Sequence, residues 1–152
     1  FKYVRYVKSS TKVRSEINQF DCTVLTDVNT NYPSVFNYMS PMFIIECKNE
    51  KKKSGNTYIN KLIGIIEKNE AKLGILFARG SVAATCNKTA YTHYLSKKYA
   101  PKQEIVICMD DSDLNYIIDK RVNLLEYLNF KICKFTSNSN NMTWEMFEVN
   151  EV

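Results

Sequence analysis

The chain has 152 residues, 45% of them hydrophobic, with 21 Lys and Arg against 16 Asp and Glu and a formal net charge of +5. That length and apolar content suit one domain over residues 1 to 152 with a sizeable core, and the sequence holds neither the roughly 18 consecutive apolar residues of a membrane span nor the Gly-x-x-x-x-Gly-Lys loop of ATP hydrolysis. Cys22, Cys47, Cys86, Cys108 and Cys133 are odd in number, far apart and without a Cys-x-x-Cys pair, which points to reduced thiols, an intracellular (cytoplasmic) setting and no zinc site.

Taken in chain order, residues 1 to 8 alternate like a strand, and residues 13 to 27 and 42 to 48 extend them into a meander. In the second of these segments Phe20, Cys22 and Val24 share an apolar face and Asp21 points to the other. Asn29, Asn31, Pro33 and Ser34 interrupt the pattern as a connection. The apolar run Met42-Phe43-Ile44-Ile45 then ends in Glu46-Cys47-Lys48, and strand alternation puts Phe43, Ile45 and Cys47 on one face and Ile44, Glu46 and Lys48 on the other. Residues 57 to 72 carry Ile59, Leu62, Ile63 and Ile66 at helical spacing, followed by a buried strand over 73 to 78 that leaves through Arg79-Gly80. A helix over 82 to 99 stops before Pro101 and holds the only histidine, His93, in a structural role. A strand over 104 to 109 leads to Asp110, Asp111 and Asp113, which cap a third helix with Leu114, Ile117, Ile118, Leu124, Leu125 and Leu128 on its buried side. Residues 131 to 135 read as a returning strand, 136 to 141 as a loop, and Trp144, Met146 and Phe147 as a last edge strand or an interface. Strands alternating with helices predict an α/β fold, a mixed β-sheet flanked by helices in three layers.

The end of the third strand carries the chemistry. Two charges closing so apolar a strand cost several kcal/mol unless paired or metal-bound, by roughly the usual desolvation penalty. Glu-x-Lys occurs twice more, at Glu50-Lys51-Lys52 and Glu70-Ala71-Lys72, but in a charge run and near the polar end of a helix. If the strand holding Asp21 returns antiparallel to 42–48, Asp21 and Glu46 meet as two hard oxygen donors suited to Mg²⁺ or Mn²⁺, at about 2.0 to 2.2 Å. Lys48 on the same face completes a hydrolytic site.

Asp21 with Glu46-Cys47-Lys48, inside the phrase Ile44-Ile45-Glu46-Cys47-Lys48-Asn49 and preceded by Asn18-Gln19-Phe20-Asp21, resembles the PD-(D/E)XK nuclease superfamily, especially its Mrr-type restriction-endonuclease-like members. The resemblance covers residues 13 to 80 closely and the remainder in architecture. It implies a restriction-endonuclease-like core, metal held by Asp21, Glu46 and the backbone carbonyl of Cys47, and Lys48 positioning or activating the attacking water. Gln19 stands where that family often has Glu, which removes a negative charge from the outer site. Glu16 is a possible accessory acid, although its register relative to Asp21 turns it away in a regular strand.

The expected activity is a metal-dependent endonuclease hydrolysing phosphodiester bonds, on DNA rather than RNA, in restriction and defence or in DNA repair. The alternative is a catalytically inactive nucleic-acid-binding or assembly domain of the same fold. Lys51, Lys52, Lys53, Lys61 and Arg79 are candidate phosphate contacts, in keeping with the positive charge. No membrane is expected as a partner. Cutting both strands of a duplex is simplest with two symmetry-related sites, so a homodimer is expected to be compatible with the activity. The family core begins with a helix, whereas this chain opens on Phe1 and a strand-like run. A helix or a further domain outside the chain is therefore an expectation as well.

Overall fold

The computed structural model describes residues 7–14, 19–26, 38–39, 42–51 and 54–148. Five strands form one sheet in chain order: β1 (Val7–Arg14), β2 (Gln19–Thr26), β3 (Met42–Lys48), β4 (Leu73–Ala78) and β5 (Ile105–Asp110). β1 pairs with β2 and β2 with β3 antiparallel; β3 pairs with β4 and β4 with β5 parallel. The three parallel strands are joined through helices α1 (Asn56–Lys68) and α2 (Ala84–Lys97), as parallel pairing requires of its crossovers. After β5 come α3 (Asp111–Lys120), α4 (Leu124–Thr136) and the short α5 (Trp144–Glu148).

The unbroken apolar runs of β3, β4 and β5 follow from a sheet covered on both faces. Phe43, Ile45, Leu73, Ile75, Ile105, Ile107 and Met109 belong to one core, packed with Leu128, Phe130 and Ile132 of α4 and Trp144 of α5. Ile44, Leu76, Val106 and Cys108 belong to the other, packed with Ile59, Leu62, Ile65 and Ile66 of α1 and Cys86 and Ala90 of α2. The three-layer arrangement of helices on a sheet is thus set by alternation within each strand. Gly74 lets α1 approach: a Cβ built there would lie 3.0 Å from Leu62 Cγ.

Several elements depart from the sequence reading. Residues 131–135 are not a strand but the last turns of α4, where Leu128, Ile132 and Phe135 keep a helical spacing of four and three. The long third helix is two helices. Arg121 adopts a left-handed conformation (φ 56°) that closes α3, and Asn123 starts α4 by accepting a hydrogen bond from the Leu125 amide at 2.9 Å. Trp144 to Phe147 is helical, so the two aromatic residues, three apart, reach Phe130 together. The first strand runs over Val7–Arg14 rather than ending at residue 8, through register shifts at Val7/Ser9 and Thr11/Val13 that let Ser9, Ser10 and Thr11 remain in the ladder. Residues 1 to 6 lie outside the described residues. Helix α1 stops at Lys68, four residues short of the expected end, because Glu70 turns left-handed (φ 55°). The expected capping by aspartates is present: Asp110 accepts from the Asp113 amide while Asp113 accepts from the Asp110 amide. Among the described residues no helix is long and apolar enough to cross a membrane.

Candidate active site

The β2–β3 ladder pairs Cys22 with Ile45 and Thr23 with Ile44. Those pairs bring the start of β2 alongside the carboxyl end of β3, with Cys22↔Ile45 the last of them and Asp21 the next residue of β2. Glu46 itself is buried, 1% exposed, on the face that holds Ile44 and the α1 layer. Its Oε1 receives two ammonium groups: Lys48 Nζ at 2.7 Å and Lys61 Nζ at 2.8 Å. Its Oε2 is buried and has no hydrogen-bond partner among the described residues. A carboxylate oxygen left that way is costly in an apolar setting and is a donor facing an unfilled need.

Helix α1 builds the other wall. Tyr58 and Lys61, three residues apart on one helix face, both turn to the end of β3. The Tyr58 ring lies 4.7 Å from Lys48 Nζ, and its hydroxyl donates to Glu50 Oε1 at 2.6 Å. That hydrogen bond to a carboxylate, reinforced by desolvation, holds the Tyr58 phenol above its ordinary pKa. Across the next strand, the Arg79 amide donates to the Lys48 carbonyl at 2.8 Å and Arg79 Nη1 donates to Asn49 Oδ1 at 3.1 Å. The ends of β3 and β4 are tied together there. Both ammonium groups meet the same carboxylate oxygen, Glu46 Oε1, so Oε2 is left to another partner.

The structure therefore brings Glu46, Lys48 and Lys61 together and places Arg79 one strand away. Lys61, read from sequence as a phosphate contact, sits on the acid itself with its side chain 46% exposed. Sequence alone gave no sign of that pairing beyond Tyr58 and Lys61 sharing a helical face. Cys47, on the sheet face opposite Glu46, is exposed. The side chains of Asp21 and Gln19 lie outside what the structure describes, as do Glu16, Lys52 and Lys53. Lys51 is exposed beyond β3.

A second polar cluster occupies the opposite end of the parallel strands. One ligand atom each from Glu67, His93 and Glu104 lie within 4.8 Å of one another. His93 Nε2 and Glu104 Oε2 are 2.9 Å apart, and Lys97 and Lys102 approach Glu67 and Glu104 at 3.1 and 4.0 Å. The cationic partners satisfy these acids without a metal, so the cluster reads as a network that joins α1, α2 and the start of β5. Compared with protein-family models, curated proteins and solved structures, the chain shows no match in any of the three.

Proposed function

We propose that the chain is a metal-dependent endonuclease domain of the restriction-endonuclease-like, PD-(D/E)XK type. The observation that carries the reading is Glu46: a buried carboxylate at the carboxyl end of a parallel strand, one oxygen held by two lysines and the other without a partner among the described residues. Ligands of α/β sheets gather outside the carboxyl ends of the strands. The donor set also fits a hard divalent cation: Glu46 Oε2, the acid of Asp21 on the neighbouring strand, and the Cys47 carbonyl would hold Mg²⁺ or Mn²⁺. A cation bound there would neutralise phosphate charge and acidify a coordinated water.

The chain's own groups do the rest. Lys48, fixed by Glu46 and the Tyr58 ring, is placed to orient the nucleophilic water and to balance charge developing on the phosphate. Lys61 keeps the Glu46 carboxylate in one orientation. Arg79 and the exposed Lys51 supply positive charge for the backbone of the substrate, with DNA favoured over RNA by the resemblance.

One observation favours a second reading, an inactive nucleic-acid-binding or assembly domain: two ammonium groups already compensate Glu46 without any cation. Incubation with single-stranded DNA, double-stranded DNA and RNA, with Mg²⁺, Mn²⁺ or EDTA, separates the two. The nuclease reading expects metal-dependent cutting that Asp21→Ala and Lys48→Ala abolish. Cutting that survives both substitutions places the site elsewhere, and binding without cutting favours the inactive domain.

A further inference from the structure

A cavity of about 540 Å³ opens beside the outer edge of β5, between the start of α2 and the end of α4. That volume is within the usual range for small-molecule sites. Its position is fixed by strand register. Glu46 aligns with Leu76 and Leu76 with Cys108; Lys48 aligns with Ala78 and Ala78 with Asp110. Cys108 and Asp110, which line the cavity, therefore share the row and face of Glu46 and Lys48, two strand spacings or about 10 Å away.

The lining combines three kinds of group. Lys88 and Lys134 bring positive charge, Asn87 and Asn138 bring amides, and Tyr91 and Phe135, in edge contact at 5.6 Å, form an aromatic wall. The acids that border it are occupied. Asp110 caps α3, and Asp113 is held by both Lys131 and the Tyr127 hydroxyl. Helix α2 begins at the cavity without a capping side chain or an acidic residue in its first turn, which leaves its positive end uncompensated. Among the described residues Lys134 Nζ donates a hydrogen bond to the Met142 carbonyl at 2.8 Å and lies 5.7 Å from the Phe130 ring centre, and an ammonium has three protons to give.

We propose that this cavity is a nucleoside-phosphate site, with the phosphate at the first turn of α2 beside Lys88 and Lys134 and the base against Tyr91 and Phe135, its edge met by the asparagine amides. Positive charge alone would suit any anion; the aromatic wall and paired amide donors and acceptors are what a base adds. The nucleotide is either free or one unit of a strand engaged at Glu46. The second source rests on the function proposed above, whereas the binding itself does not.

The test is done in EDTA, so that no cleavage is required. AMP, CMP, GMP and UMP are titrated into the protein by calorimetry, with inorganic phosphate and a single-stranded oligonucleotide as competitors. At least one monophosphate should bind, and phosphate should compete poorly. Lys88→Glu, at an exposed position, and Ala84→Trp, which fills the mouth, should each weaken binding about tenfold or more with unchanged thermal midpoints, while Glu46→Gln leaves it intact. Competition by the oligonucleotide assigns the nucleotide to a strand, and lack of competition assigns it to a free nucleotide. No monophosphate binding, equal competition by phosphate, or indifference to both cavity variants overturns the inference. Binding that persists in a protein with no cleavage activity would overturn the nuclease reading alone.

Discussion

The two carboxylate oxygens of Glu46 have different surroundings, and the proposed chemistry rests on that difference. Oε1 accepts from Lys48 and Lys61, whereas Oε2 has no hydrogen-bond partner among the described residues. The two lysines are not equivalent. Lys48 arises from the same strand and is four-fifths buried as a side chain, whereas Lys61 reaches over from α1 with nearly half its surface in water. Lys48→Ala should lower the cleavage rate by about 10²- to 10⁴-fold, the usual contribution of a positioned proton-transfer group, with nucleic-acid affinity retained in a filter-binding assay. Lys61→Met should cost only about 1 kcal/mol in denaturant unfolding, since exposure screens its ion pair. The cysteines give a second residue-scale outcome. Burial pushes the Cys108 thiol up to about 12, and thiolate is the reactive form. With an exposed Cys47 in the same protein, a thiol reagent followed by peptide mass mapping at neutral pH should label Cys47 first and leave Cys108 unlabelled until the chain unfolds.

At the scale of elements, the contact between β4 and α1 positions Lys61 over Glu46. Gly74 makes that contact close, with Leu62 and Ile66 atoms at 3.0 to 3.2 Å from where a Cβ would stand. Gly74→Val should therefore destabilise the fold by about 1–3 kcal/mol through overpacking, measured by chemical denaturation. The strands of the core were legible in the sequence because their code is local: the apolar run 42–45 and the alternation of Glu46 and Lys48 fix both position and face. Helices α1 and α2 were legible for the same reason, from periodicity and from Pro101. The boundary between α3 and α4 was not, since Leu114 through Leu128 keeps an apolar period straight across it. Its signals are Arg121 in a left-handed turn and Asn123 as a cap, with Glu126 three residues on, and both are weaker than the hydrophobic stripe. Residues 131–135 misled because Ile132 and Phe135 serve a helical face begun at Leu128, outside the window in which they look like a strand. The Lys61–Glu46 pair depends on how α1 crosses β3, which no local pattern encodes.

For the whole molecule, two cores on either side of one sheet are bridged at the β5 edge, where Phe135 packs against both. In the same layer Tyr127 is buried with its hydroxyl on Asp113. Desolvation, with the neighbouring Asp113 carboxylate, holds the Tyr127 phenol well above its ordinary value of 10.0. The folded protein then keeps a proton that the unfolded chain loses above about pH 10, so the Tyr127 contribution to stability is constant below that pH and falls as pH rises beyond it. Thermal midpoints recorded from pH 8 to 11 should show this decline, and Tyr127→Phe should lessen it. The same edge holds the cavity proposed to take a nucleoside phosphate, in one row with Glu46 and Lys48. A strand lying along the carboxyl ends of β3, β4 and β5 would meet both.

Mn²⁺ binding followed by electron paramagnetic resonance measures directly whether Glu46 Oε2 serves as a ligand for a divalent cation. Wild-type protein and Lys48→Ala should both bind Mn²⁺, and Glu46→Gln should lose that binding. Equal Mn²⁺ affinity in wild-type and Glu46→Gln would contradict that role.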